Sequence, residues 1–394
     1  MNYHLHWLEY GCNIFWDISH KIKVNIPINI PKFTIPILCG FPILYYVTKK
    51  WKSRVTVEDN YQHIINQKNN TIQSVIDSIA FFDEDSINTI NYEIMHAKLK
   101  KFNENYNKLS ANKITDIFLF KTKKEFLNCK KYHYKIWLDM ENQKFYGKIN
   151  HELIGGSNIG KFCYTAFANE QKDNFYNSRF YHIFPAIKLI LLRKTIPKIK
   201  NPFPLFENSV NISRYIIRQS FERKNNVKAT LLYHIMQRLY YCLNMKNEVR
   251  DLICILPIAF YNTKNINNNI GILWLTFNEK DTIESIKNKM EKNAYQIFGT
   301  NFLLSNGLLS KKSSSKNTRK NADAIITILF TDETNNIQIS WTYPSVADYP
   351  VYVAVHSRLS GNTVHLTQTY TVNTPNFIPG ELEYVEYNYL FENS

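Results

Sequence analysis

The chain is poor in cysteine, and the cysteines it has are badly spaced for metal or disulfide work. Cys12, Cys39, Cys129, Cys163, Cys242 and Cys254 are scattered along 394 residues without a C-x-x-C pair. Such spacing argues against the common zinc frames and a disulfide scaffold, and favours reduced thiols in the cytoplasm. His4 and His6 form an H-x-H with no further ligand close by, so no metal site is expected. Met1 to His6 lacks a charged region followed by an apolar one, so no cleavable leader is expected. A membrane-spanning run is missing too. The uncharged stretch from Phe33 to Val47 is shorter than the about 20 residues a helix needs to cross a bilayer, and Pro36 and Pro42 interrupt it. No repeat of fixed period is found. Acids are outnumbered 33 to 48 by lysine and arginine, a net charge of +15. That balance calls for an anionic partner: a phosphorylated cofactor, a membrane surface or nucleic acid.

What is present is apolar enough to fold. With 44% hydrophobic and 14% aromatic residues the chain can bury a large core, which excludes global disorder. Its length is more than one compact core usually holds, so two subdomains are expected.

The most informative stretch runs from Tyr134 to Phe167. Ile136, Leu138 and Met140 alternate with Lys135, Trp137 and Asp139, the period of a half-buried strand. A turn over Glu141 to Lys144 leads to a returning strand in which Phe145, Gly147, Ile149 and His151 share a face. Gly155 and Gly156 then break the backbone, and Ser157 caps a helix that buries Ile159, Phe162, Cys163, Ala166 and Phe167. His151 therefore stands at a strand-loop-helix corner, where a neutral imidazole can serve as a general base. A hydrogen-bonded core or surface histidine fits the same pattern. Cys163 falls on the apolar helix face and reads as core.

Elsewhere the pattern predicts amphipathic helices over 57–82, burying Tyr61, Ile64, Ile65, Ile72, Val75, Ile76 and Ile79. Asp83, Glu84 and Asp85 read as a solvated turn. A short strand is expected from Ile114 to Lys121. Prolines 197, 202 and 204 mark 194–211 as a crossover. A helix follows from Val227 to Leu243, then strands Leu252 to Phe260 and Ile270 to Phe277. The next helix has Asp281 and Glu284 in capping-box spacing and buries Ile283, Ile286, Met290, Ala294 and Ile297. Four more strands are expected: Ala324 to Phe330, Ile337 to Tyr343, Val351 to Ser357 and Val364 to Tyr370. The basic, serine-rich stretch 310–321 lacks interleaved aromatics and reads as a mobile loop, and no motif argues for nucleic acid. Lys49, Lys50 and Lys52 follow the apolar run, so 33–52 reads either as a peripheral membrane contact or as an arm packed on the fold.

The order H-x-x-x-G-G after a strand, a Pro-rich crossover, a helix, V-R-D-L-I-C-I-L-P-I, N-N-I-G and D-T-I-E-S-I-K-N-K-M resembles the histidine-dependent acyl-CoA acyltransferase superfamily. That superfamily includes chloramphenicol acetyltransferase, peptide-synthetase condensation domains and the wax ester synthase/diacylglycerol acyltransferase family, to which the second half is most similar. The likeness covers Tyr134 to Tyr370. In the family signature HHxxxDG the second His is the base; here His151 matches it, Asn150 stands for the first His, Gly155 replaces the Asp, and Gly156 matches the Gly. Asn268 and Gly271 match the family's G-N-x-x-G turn, with Asn267 in place of its first Gly. The family's S-N-V-P-G is not found over Thr327 to Asp332.

The resemblance implies an α/β sandwich of two chloramphenicol-acetyltransferase-like lobes with mixed sheets and a tunnel between them. Its division would be an arm at 1–55, a first lobe at 56–193 carrying His151, the crossover 194–211 and a second lobe at 212–394. It further implies transfer of an acyl group from acyl-CoA, as co-substrate, to a hydroxyl-bearing or lipid acceptor, with His151 as base, Asn150 and Thr331 as candidate oxyanion donors, and neither a permanent cofactor nor a metal. The missing Asp, first His and S-N-V-P-G support the alternative: a catalytically degenerate relative that binds or assembles.

Overall fold

A computed structural model describes residues 75–82, isolated positions within 92–100, 117–150 with short interruptions, 183–192, and 197–385 with short breaks and longer ones at 260–269, 306–321, 332–336 and 343–348. Twelve strands are described: β1 Val75–Phe82, β2 Ile117–Phe120, β3 Tyr134–Asp139, β4 Lys144–Asn150, β5 Ser213–Glu222, β6 Leu252–Ala259, β7 Ile270–Phe277, β8 Ala324–Thr331, β9 Ile337–Thr342, β10 Val351–Ser360, β11 Thr363–Val372 and β12 Glu383–Tyr384. The helices are α1 Lys123–Asn128, α2 Ile183–Leu191, α3 Val227–Cys242, α4 Met245–Glu248 and α5 Ile283–Ser305.

The strands form two mixed sheets. A five-stranded sheet has the order β2, β3, β4, β1, β9, and a seven-stranded sheet the order β12, β5, β11, β10, β8, β6, β7. The chain crosses between them late: it leaves the large sheet at the end of β8, adds β9 to the small sheet beside β1, and returns as β10. The two sheets are thus tied by a strand exchanged in sequence order.

The core lies on one face of the large sheet. Leu231, Leu232, Ile235, Met236 and Leu239, the expected stripe of α3, pack there with Leu273, Leu275 and Phe277 of β7 and Val351, Val353 and Val355 of β10. At the head of the parallel strands Arg250 clamps Asp323 with two bonds of 2.7 and 2.8 Å. The same carboxylate accepts from the Ile253 amide at 2.9 Å, which joins the starts of β6 and β8.

Three local expectations are corrected. Val75, Ile76 and Ile79 lie in a strand, not a helix: β1 bonds to β4 on one side and β9 on the other. The run VIDSIAFF is rich in β-branched and aromatic residues, and a short apolar run fits both periods until the tertiary partners decide. The N-terminus of α5 is capped by Thr282 rather than Asp281. Thr282 Oγ1 accepts from the Ser285 amide at 3.2 Å and Ser285 Oγ from the Thr282 amide at 3.0 Å. Asp281 instead accepts from Lys289 Nζ at 2.7 Å and from the Asn278 amide at 2.8 Å. Lys135 is buried under α1, not solvated, and its ammonium donates to the Phe126 and Cys129 carbonyls at 2.7 and 2.9 Å.

Helix α5 also closes the free edge of β7. Residues of even number on this strand turn their backbone groups away from β6. The Ile272 amide donates to Thr300 Oγ1 at 2.6 Å and the Trp274 amide to Gln296 Oε1 at 3.0 Å. Asn301 Nδ2 donates to the Ile270 carbonyl at 3.1 Å and Lys289 Nζ to that of Thr276 at 2.9 Å. A row of polar side chains replaces a neighbouring strand, and an edge that could template aggregation is covered.

Candidate functional site

Strands β3 and β4 form the expected hairpin, in antiparallel register with Ile136 opposite Gly147 and Leu138 opposite Phe145. Ile136, Leu138, Tyr146 and Gly147 are buried, and the register sets positions 145, 147 and 149 on the sheet face shared by Ile136 and Leu138. Asn150 is the last residue of β4, opposite Val75 at the start of β1. His151, Gly155, Gly156, Asn268 and Cys163 lie outside the described residues, as do Asp83 to Asp85, the arm 1–55 and the loop 310–321. Thr331 ends β8, opposite Arg358 of β10. The chain then enters β9, which finishes at Thr342, two residue pairs along β1 from the end of β4. The strand order thus sets Asn150 and the finish of β9 on opposite sides of the start of β1, and Thr331 ahead of the start of β9. Gly271 lies within β7, where the absence of a side chain admits α5.

Sequence reasoning missed the second face of the large sheet. Directly opposed residues share a face, so the register can be read as rows. One row is Ser220, His365, Arg358 and Thr331; the next is Arg218, Thr367, His356 and Leu329. Beyond these come Ile216, Thr369, Ala354 and Thr327, then Arg214, Thr371, Tyr352 and Ile325. The first two of these rows hold no carboxylate, and the only acid across the four is Glu383 of β12, opposite Ile216. It carries three guanidiniums, two imidazoles and a lane of threonines, and much of it is buried. Thr367, Thr369 and Thr371 are at most 1% exposed, and His356 is 1% exposed.

The polar groups are partly satisfied within the sheet. Tyr352 Oη donates to Thr327 Oγ1 at 2.8 Å, and Ser220 Oγ and His365 Nδ1 are 2.9 Å apart. Burial, and then the nearby Arg358 charge, push the His356 imidazole down to about 3, so it is neutral at working pH. Thr367 Oγ1 is buried and has no hydrogen-bond partner among the described residues. The sequence held one readable signal: Thr363, His365, Thr367, Thr369 and Thr371 alternate with Val364, Leu366, Tyr370 and Val372, broken only by Gln368. Alternation of this kind normally marks a solvent face; here that face is covered.

Two further candidate chemistries are weak here. Burial raises the thiol of Cys242 to about 11 and that of Cys254 well above its usual range, so neither is a ready nucleophile. Among the described residues no group of three His, Cys, Asp or Glu side chains is placed to hold a metal ion.

No family model matches the sequence, and no curated protein does. Solved structures do match. The starter condensation domain of rhizomide synthetase, in a variant bound to C8-CoA, superposes with a TM-score of 0.52 at 9% identity, over 79% of this chain and 87% of that one. The same domain with C8-CoA and Leu-SNAC gives 0.52 at 8% identity, over 84% and 92%. The chain has a condensation-domain fold. Two lobes of mixed sheets, the architecture expected from the order of motifs, are therefore present, and in this fold β9 is the strand that binds the lobes together. The likeness reaches the condensation-domain fold and stops short of the wax ester synthase branch. Among the described residues no helix is long and apolar enough to cross a membrane.

Proposed function

We propose that the protein is an acyltransferase that moves an acyl group from a CoA thioester to an acceptor hydroxyl, with His151 as general base. The observation that carries this reading is the condensation-domain fold, found here with a hairpin in which positions 145, 147 and 149 share one face of β4 and lead towards the residue after Asn150. Continued by one step of the same parity, that face would include His151. The matched domain was captured with C8-CoA, which supports a CoA thioester as donor.

In the reaction, neutral His151 takes the proton of the acceptor hydroxyl as its oxygen attacks the thioester carbonyl. The carbonyl oxygen gains charge, and Asn150 and Thr331 are the candidate donors to it. Collapse expels the CoA thiolate, which takes the proton back from the imidazolium. General base catalysis of this kind accounts for about 10²–10⁴-fold in rate. A lipid-like acceptor, reached at a membrane surface through 33–52, and the lobe boundaries at 56–193 and 212–394 belong to the same proposal.

The substitutions at the motif favour a second reading. Gly155 stands where the family has an Asp and Asn150 where it has a His, which suits a fold kept for binding or assembly. The two are separated by following thiol release from acyl-CoA with the wild type and His151→Ala. Loss of turnover in a folded variant supports the first reading and an undiminished rate sinks it. A wild type that neither binds nor slowly hydrolyses CoA thioesters establishes the second.

A further inference from the structure

We propose that the buried polar face of the large sheet, at the carboxyl ends of β8 and β10, is a binding site for a phosphate group, with Arg218, Ser220, His356, Arg358, His365 and Thr367 around it. The proposal does not depend on acyl transfer or on His151.

Position is the first support. Strands β8 and β10 are parallel, and the row of Arg358 and His365 lies at their carboxyl ends. This is also where the chain quits the large sheet for the small one after Thr331. Ligands of open α/β sheets collect outside the carboxyl ends of the parallel strands.

Charge is the second. Arg218 and Arg358 stand on adjacent rows either side of the Thr367 and His365 lane, and the rows hold no acid. The next row ends in Glu222, which is engaged by Asn362 Nδ2 at 3.0 Å. Two guanidiniums offer forked donors suited to phosphate oxygens. The Ser220 hydroxyl and His365 Nδ1, 2.9 Å apart, lie at the open end of the same lane.

The third support is independent of charge. Thr367 Oγ1 is buried, lies between Arg218 and His356 in its row, and has no partner among the described residues. A buried hydroxyl without a partner is costly and rare, and an anion on this face would give its hydrogen an acceptor. The face also grades from closed to open. Thr367 is buried, Arg358 is nearly so, His365 is half-buried, and Ser220 and Arg218 are exposed. A phosphate on a longer ligand can therefore sit inside while the remainder leads out.

The test is thermal stabilisation and calorimetric titration of the full chain with inorganic phosphate, CoA and phosphate-free pantetheine, in the wild type, Thr367→Val and Arg218→Gln. The expected result is binding of CoA but not of pantetheine, weakened at least tenfold in both variants. Thr367→Val should also raise the melting temperature of the unliganded protein, because it removes the unpartnered hydroxyl, and that readout shows the variant folded. Binding of inorganic phosphate as tightly as CoA would identify a site for the free anion. Wild-type affinity in both variants, or no binding of any phosphate probe, overturns the proposal. Repeating the titration in His151→Ala keeps it separate from catalysis: unchanged CoA affinity there leaves this site standing even if acyl transfer fails.

Discussion

Gly271 of β7 lies so close beneath Ile297 of α5 that a Cβ on it would overlap the Ile297 carbonyl oxygen. On the other side of the same helix, Gly299 faces the Pro185 carbonyl of α2 at a distance that leaves a Cβ only 2.7 Å. Two glycines thus let one helix be gripped between a strand edge and a second helix. Replacing Gly271 by Ala must push α5 off the edge of β7, since the obstacle is backbone and cannot rotate away. The expected cost is about 1–3 kcal/mol, as for overpacking in general, or more. Urea unfolding measures it, and wild-type stability in the variant would refute the close approach.

The hydrogen bonds from α5 to β7 predict a different signature. Thr300→Val keeps the shape but leaves the Ile272 amide without its acceptor, at a cost of about 1–3 kcal/mol. Hydrogen exchange should show the loss locally, as faster exchange at Ile272 with the β6 to β7 ladder still protected. Uniform acceleration across the large sheet would mean that the bond merely tracks global stability.

Arg250 and Asp323 predict the largest single effect. Asp323 is fully buried, and it bonds both the guanidinium and the Ile253 amide. Asp323→Ala strands a partly buried Arg250 and an amide together, for which about 3–5 kcal/mol is the usual loss. Replacing both residues by apolar side chains should cost less than Asp323→Ala alone. A double variant as costly as Asp323→Ala alone would show that the loss comes from removing the pair itself and not from stranding Arg250.

These relationships also mark how far the sequence could be read. Period and length sufficed for α3, β6, β7, β8, β10 and β11, because each buries a continuous apolar stripe or face against the same core. They failed where two periods fit equally, as at Val75 to Phe82, and where polar residues do the packing. Gln296, Thr300 and Asn301 are buried because they replace a missing strand, and no count of apolar positions points to them. The exchange of β9 into the small sheet is invisible for a similar reason, since Ile337 to Thr342 reads as a strand whichever sheet takes it. For the site, the hairpin leading to Asn150 was legible, while the basic face through Arg358 and His356 was not. Alternation reveals that a face is polar, but only the fold shows that it is covered.

His356 makes that covered face sensitive to acid. Its folded imidazole is pushed by burial, and then by Arg358, from an ordinary 6.5 to about 3. Between those values the unfolded chain holds a proton that the folded chain refuses, so stability rises with pH across this window. The contribution is complete above about pH 6.5 and is lost progressively on acidification, by at most about 1.4 kcal/mol per pH unit. Urea unfolding of the wild type at pH 7.5, 6 and 5 should therefore show falling midpoints. His356→Gln cannot take up a proton at that position, so whatever it costs at pH 7.5, its curve should fall less steeply. The other histidines titrate in both proteins, and the difference in slope belongs to position 356. Parallel curves would mean that the imidazole is reached by water when charged, and that the inner face is less closed than its burial indicates.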